Sequence, residues 1–197
     1  MYILEALVLR RRELKHSHDH SEAQGCGQNA QETGLPAGGA WPSMPIGYRL
    51  ELAQAQTLGS VQGLMQAYFA ELGLENDPAC LDKDLQDLES GYQSGGLIVL
   101  LHEQEPVGCI GLRQIEPGVG EIKRMYIEPG HRKGGLGRAL LESALNLARS
   151  KGFSRLLLDT RRDLKAANAL YERFGFKDTK DYNQNPRAER FMILDLG

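Results

Sequence analysis

Cysteine is scarce in this chain: Cys26, Cys80 and Cys109 are the only three among 197 residues. A small, odd number argues against a disulfide framework and fits a reducing cytoplasm. Cys109 lies inside an apolar run and reads as a small buried hydrophobe rather than a nucleophile. Surplus positive charge is also missing. The formal net charge of -3 speaks against bulk attraction to nucleic acid or to an anionic membrane, so any anion site must be local. Long apolar runs are absent as well. The opening MYILEALVL is short and its arginines, Arg10 to Arg12, come after it. A secretory signal puts its basic residues first, and a spanning helix needs about 20 apolar residues. A soluble protein with no nucleic-acid or membrane partner is expected.

Residues 1–45 lack regular periodicity over most of their length. From Glu13 to Pro45 the chain is rich in Gly, Ser, Gln, Asn and Pro, which predicts a disordered leader ahead of one domain spanning residues 46–197. His16, His18 and His20 flank Asp19 in HSHDH. No second ligand cluster closes a metal site around them, so they read as a solvated tail and no metal is expected. From Ile46 the pattern sharpens. GYRLELAQ alternates as a strand; a helix capped by Thr57 runs to about Leu74, and a second follows Asp77-Pro78. GLIVLLHE, PVGCIGLRQI and GEIKRMYIE read as three strands separated by turn residues. A helix with a stripe of Leu136, Leu140, Ala144, Leu147 and Ala148 follows, then a strand at Arg155–Asp159 and a helix ending at Phe174-Gly175. Strands at Phe176–Tyr182 and Arg190–Leu196 close the chain. This order predicts an α/β fold with a mixed sheet and helices on its faces, not a uniformly alternating doubly wound fold.

The most chemically pointed stretch is HRKGGLGRALL, His131 to Leu141. A strand entering a glycine-rich turn and then a helix presents free backbone amides at the positive end of the helix dipole, which suits phosphate. Arg132, Lys133 and Arg138 add charge suited to a diphosphate. The bland alternative is a basic surface turn whose glycines let the helix pack tightly. A Walker loop requires Lys-Ser/Thr at the helix start, where Arg138-Ala139 stands. A dinucleotide fingerprint requires Gly or Ala where Leu140 stands, and Asp159 keeps that reading only weakly supported.

Arg132-x-x-Gly135-x-Gly137, between strand and helix, resembles the acetyl-CoA signature of the GNAT superfamily of N-acetyltransferases, Q/R-x-x-G-x-G/A. Leu170 to Phe176, LYERFGF, is similar to the LYE-x-x-GF ending of that superfamily's next helix. The resemblance covers about Ile46 to Gly197 in element order. It implies a mostly antiparallel mixed sheet of about seven strands flanked by about four helices. It also implies acetyl-CoA as cosubstrate, direct attack by a primary amine of a small molecule or protein in a ternary complex, and often a homodimer.

The resemblance assigns residues to roles. Backbone amides of Arg132, Lys133, Gly134, Gly135, Leu136, Gly137 and Arg138 hold the pyrophosphate. Met125, Tyr126 and Ile127 pair with the pantetheine arm and supply the oxyanion donor. Tyr171 is the general acid, and its bland alternative is one more aromatic in a buried stripe. Glu121 matches a position where some members carry the general base; it reads equally as a solvent-facing residue or an ion-pair partner of Lys123 or Arg124. Leu164 stands where many members carry an asparagine that touches the cofactor. An acyl-CoA sensor without turnover would keep the loop but would not need Tyr171 and Glu121. Glu71, Glu75, Asp77, Asp82 and Asp84, near the expected acceptor side, suit a cationic amine or an exposed helical face.

Overall fold

The computed structural model describes residues 41–77 and 82–197. The histidines of HSHDH, Cys26, Cys80 and most of the expected leader lie outside them. Within that leader, Trp41 and Met44 are partly buried against the core. Contacts with the core are thus made by residues ahead of Ile46.

Seven strands form one sheet: β1 (Tyr48–Leu52), β2 (Gly96–His102), β3 (Glu105–Glu116), β4 (Val119–Ile127), β5 (Arg155–Thr160), β6 (Lys177–Asp178) and β7 (Arg190–Asp195). Their spatial order is β1-β2-β3-β4-β5-β7-β6. Every pairing is antiparallel except β4 with β5. Four α-helices accompany the sheet among the described residues: α1 (Ala55–Leu72), α2 (Leu88–Tyr92), α3 (Leu136–Ser150) and α4 (Lys165–Arg173). This is the expected mixed, mostly antiparallel architecture. No helix among the described residues is long and apolar enough to cross a membrane.

The sheet separates two apolar layers. Val61, Leu64, Met65 and Phe69 of α1 pack with Leu97, Val99, Leu101, Cys109 and Tyr126. Leu136, Leu140, Ala144, Leu147 and Ala148 of α3, the stripe legible in sequence, are all buried in the other layer with Ile110, Ile122, Leu156 and Leu158. At about 1.5–3 kcal/mol per fully buried leucine, this stripe makes α3 a fixed support for the loop before it.

Three elements differ from the expected ones, each for a local reason. The α1 N-cap is Gln54, and Thr57 instead bonds back to the Gln54 amide at 2.9 Å. The second helix starts only at Leu88, capped by Asp87, whose carboxylate accepts from the Ser90 amide at 3.0 Å. Ahead of it, Asp82 and Asp84 turn inward to Arg124 around a 3-10 turn at Lys83–Leu85, an arrangement incompatible with one continuous exposed helix. β6 is only two residues long, because the chain leaves the sheet after Thr179, whose amide still bonds the Phe191 carbonyl at 2.9 Å, and returns at β7.

Candidate active site

The parallel pair β4–β5 covers only Val119–Ile122 against Arg155–Leu158. Beyond it, β4 continues along β3 to Ile127 and β5 along β7 to Thr160. The two strands thus part into a fork. A bulge bends β4 at this point: Arg124 has φ 57, and the β3–β4 register shifts between Cys109 and Gly111. A bulge inserts one unpaired residue and raises local twist, which turns the end of β4 away from β5.

The fork exposes main-chain donors. The Glu128 amide bonds the Val107 carbonyl on β3 at 2.9 Å. Because successive amides alternate sides of a strand, the amides of Met125 and Ile127 face away from β3, toward the open side. The Ile127 carbonyl shares that side and accepts from Arg132 Nε at 2.7 Å.

The glycine loop follows β4 through a 3-10 turn at Pro129–His131. The amides of Arg132 and Lys133 close that turn on the Pro129 and His131 carbonyls, at 3.4 and 2.9 Å. They are occupied, unlike the expectation that the whole segment from Arg132 offers its amides. Gly135 is the α3 N-cap, with φ 80 and no capping side chain, and the Ala139 amide returns to Gly135 O at 3.0 Å. The first-turn amides of Leu136, Gly137 and Arg138 therefore have no helical acceptor and point at the loop. Gly134, at φ 71, shares the left-handed conformation of Gly135. The Arg132 side chain is engaged elsewhere: it forms a two-pronged pair with Glu71 at 2.7 and 2.5 Å and stacks over Tyr126, tying α1 to the loop.

Two cavities meet beneath the fork. A groove of about 480 Å³ runs past Met125, Tyr126, Ile127, Arg132 and Gly135 to Arg138 on one side and α4 on the other. A smaller polar cavity of about 110 Å³ lies between α1, the fork and the loop that carries Asn185 and Arg187. Tyr68, Met125, Leu164, Ala167 and Tyr171 line both. Tyr171 thus sits at the junction, its hydroxyl 3.7 Å from Met125 Sδ and its ring against Phe176. Burial pushes its phenol well above the ordinary 10, so the hydroxyl is protonated at neutral pH.

A model of the acetyltransferase (GNAT) family matches residues 61–176, which span the fork, the loop and Tyr171. The chain belongs to that family. An uncharacterised N-acetyltransferase of Schizosaccharomyces pombe is 32% identical over 135 residues, 66% of this chain and 83% of the relative. An acetyltransferase of Streptococcus agalactiae superposes with a TM-score of 0.68 at 26% identity, over 76% of this chain and 99% of its own. An acetyltransferase of Salmonella typhimurium, solved with its cofactor acetyl-CoA, superposes with a TM-score of 0.62 at 18% identity, over 77% and 95%. The last likeness is one of fold.

In this GNAT chain the residues marked in sequence separate into two groups. Met125, Tyr126, Ile127, Arg132, Gly135 to Arg138 and Tyr171 gather along the groove, whereas Lys133, Gly134 and Glu121 do not line it. Glu121 does not line either cavity. Its carboxylate is fully buried and receives Arg113 Nε at 2.6 Å, the Tyr182 hydroxyl at 2.8 Å and Asn183 Nδ2 at 3.2 Å. Its ion-pair partners are Arg113, directly across on β3, and more distantly Lys123 at 3.9 Å; Arg124 pairs with Asp82 and Asp84 instead. A carboxylate that, with Asp82, does line the polar cavity is Asp159. Burial pushes it up, but Lys123 and the Asn185 and Asn183 amides outweigh that and hold it below the ordinary carboxylate range.

The acids expected to greet a cationic acceptor are largely engaged. Glu71 holds Arg132, Asp82 holds Arg124 and Arg187, and Asp84 holds Arg124 and accepts the Tyr92 hydroxyl at 2.5 Å. Asn168 braces the chain by bonding the Arg161 and Leu164 carbonyls at 2.8 Å each. Leu164, where the resemblance implies an asparagine, contributes an apolar wall to both cavities. Cys109 is buried, donates to Arg124 O at 3.3 Å and has its thiol pushed up by burial to about 12, a setting without nucleophilic character. Sequence reading missed Tyr68, which lines both cavities; its only local signal was a place in the apolar stripe of α1.

Proposed function

We propose that the protein is an N-acetyltransferase that moves an acetyl group from acetyl-CoA to a primary amine by direct attack within a ternary complex. The observation that carries this reading is the meeting of the long groove and the polar cavity at Tyr171. One cavity suits an extended acyl carrier and the other an acceptor, and they share one wall.

The groove fits acetyl-CoA on its own chemistry. Unbonded first-turn amides of α3 and an uncapped Gly135 suit a pyrophosphate. The outward amides of Met125 and Ile127 suit the amide-bearing pantetheine arm and a carbonyl oxygen that gains charge. When bound, acetyl-CoA supplies a thioester carbonyl open to attack by an amine. In the balanced reaction the acceptor nitrogen gains the acetyl group and loses a proton, and the sulfur gains a proton.

Tyr171 donates to the departing sulfur. Its raised pKa lies above the ~8.5 of an ordinary thiol, so full transfer to a free thiolate is uphill and the hydroxyl acts mainly as a hydrogen-bond donor. Glu121 does not touch the amine in this reading; it acts through Lys123 and Asp159, a carboxylate that faces the acceptor. Asp159 is ionised well below neutral pH, so the acceptor enters as its free base and proton removal falls to water.

The experiment is a thermal melt followed by steady-state kinetics. Acetyl-CoA at about 100 times its dissociation constant stabilises by about 2.7 kcal/mol, roughly 5–10 °C for a chain of this size, while ATP and NAD do not. Tyr171→Phe lowers kcat by roughly 10²-fold and leaves that shift intact. A missing shift with acetyl-CoA, or an unchanged kcat in the variant, defeats the corresponding part of the reading.

A further inference from the structure

The polar cavity presents an excess of cations to its occupant. Lys123, Arg124, Arg161 and Arg187 line it, against the two acids Asp82 and Asp159. The remaining counter-charges stand behind or outside. Asp84 lies under Arg124 with Tyr92, Glu121 is sealed by Arg113 and Tyr182, and Asp163 pairs with Arg161 from a largely exposed position. The group around the cavity is thus close to neutral in total charge. The groups that face its interior are mainly hydrogen-bond donors.

Three of these cations are placed to serve an anion. Lys123 is mostly buried, 11% exposed, and its nearest carboxylates, Asp159 and Glu121, stand at 3.6 and 3.9 Å, longer than a hydrogen bond. Arg187 is anchored by Glu75 O at 2.6 Å and by Asp82 at 2.9 Å. Arg161 reaches across to Leu72 O at 3.3 Å. Arg187 and Arg124 stack over the same ring, Phe69, at 5.8 and 5.6 Å. A guanidinium anchored at some of its donors is already ordered, so less side-chain entropy is lost when the rest meet a carboxylate. A purely cationic acceptor would face four cations in a poorly solvated space, whereas one that also carries an anion would give Lys123 a close partner.

We propose that the acceptor is a small amine bearing a carboxylate, an α-amino acid being the simplest form, with its carboxylate on Lys123, Arg161 and Arg187 and its amine toward Tyr171. The proposal rests on the acetyltransferase reading above and narrows its acceptor. Asp159, on the same wall, is placed to accept a hydrogen bond from the entering amine. The cavity, at about 110 Å³, admits such a head group.

The test compares matched acceptors with wild-type protein, following free thiol released from acetyl-CoA. Alanine, leucine and phenylalanine are each set against their carboxamide and against the decarboxylated amine. Each acid that is turned over should exceed both partners in kcat/KM by about tenfold or more. Lys123→Met and Arg161→Gln should raise KM for the acids by about tenfold or more while moving KM for the carboxamides far less. The acetyl-CoA melting shift, measured on each variant, verifies that the variant is folded and its cofactor groove intact. Equal turnover of acids and carboxamides, a preference for the decarboxylated amines, or no turnover of any acid while acetyl-CoA still binds overturns this inference and leaves the cofactor reading standing. Absence of the acetyl-CoA shift in the wild-type protein overturns the acetyltransferase reading itself.

Discussion

Gly135 and Gly137 look equivalent in the motif but have different physical reasons. Gly135 has φ 80, and a Cβ there would meet nothing within 4 Å, so conformation alone requires glycine. Gly137 lies inside α3, where a Cβ would make ordinary contacts with Leu170 at 3.7 Å and Met125 at 3.8 Å. Gly137→Ala should therefore stabilise the protein by up to about 1 kcal/mol through helix propensity, with cofactor affinity little changed. Gly135→Ala should cost about 1–2 kcal/mol for the left-handed conformation and also weaken acetyl-CoA binding. Urea melts with and without acetyl-CoA separate the two; equal effects at both positions would remove the distinction.

At the scale of elements, the connection from α1 to α2 is held by charge rather than by a continuous helix. Arg124 bonds both oxygens of Asp84 and one of Asp82, and Arg187 takes the other Asp82 oxygen. Arg124→Met should destabilise by about 3–5 kcal/mol in urea unfolding, because buried Asp84 loses its cation and buried Asp82 keeps only Arg187. Adding Asp84→Leu to it should recover part of that loss. A single-variant loss below about 1 kcal/mol would mean that water solvates the acids. This connection is also where the sequence was least legible. Locally, Asp82 to Tyr92 offers charges and a cap signal, and nothing nearby indicates that Arg124, some forty positions later, draws two acids inward. Glu121 was obscure for the same reason. Its principal partner, Arg113, becomes visible only once the β3–β4 register is known. By contrast α3, the glycine loop and Tyr171 were readable, because periodicity, an N-terminal turn and a motif around the tyrosine are all written within a few residues. The polar cavity was not, since Tyr68, Lys123, Asp159, Arg161 and Arg187 come from separate elements and share no local pattern.

For the whole molecule, these buried charges set the pH range of the fold. Asp82, Asp84 and Asp159 are each raised by burial but held net below their ordinary 3.8 by cations and hydrogen bonds. A carboxylate depressed in the folded state stabilises fully above its unfolded pKa, and that contribution fades as pH falls through the folded value. Burial raises Cys109, Tyr92 and Tyr171 above their ordinary 9.0 and 10.0. Their contribution is complete below those values and is lost as pH climbs beyond them. The melting temperature should thus decline from near pH 4 downward and from near pH 9 upward. Asp84→Asn should shrink the acid-side decline. A wild-type melting temperature that already falls steeply at pH 6 would point to other groups.

The bulge at Arg124 has a further consequence, one of counting. Ile122 and Ile127 lie five positions apart, an odd interval that an uninterrupted strand would send to opposite faces, yet both are buried in the α3 layer. The extra residue resets the parity of β4. It brings the neighbours Lys123 and Arg124 to the same polar cavity and turns Tyr126 into the α1 layer. Removing one residue here would exchange Tyr126 and Ile127 between layers while leaving the composition of the strand almost unchanged. The site therefore depends on the number of residues between Glu121 and the glycine loop as much as on their kinds.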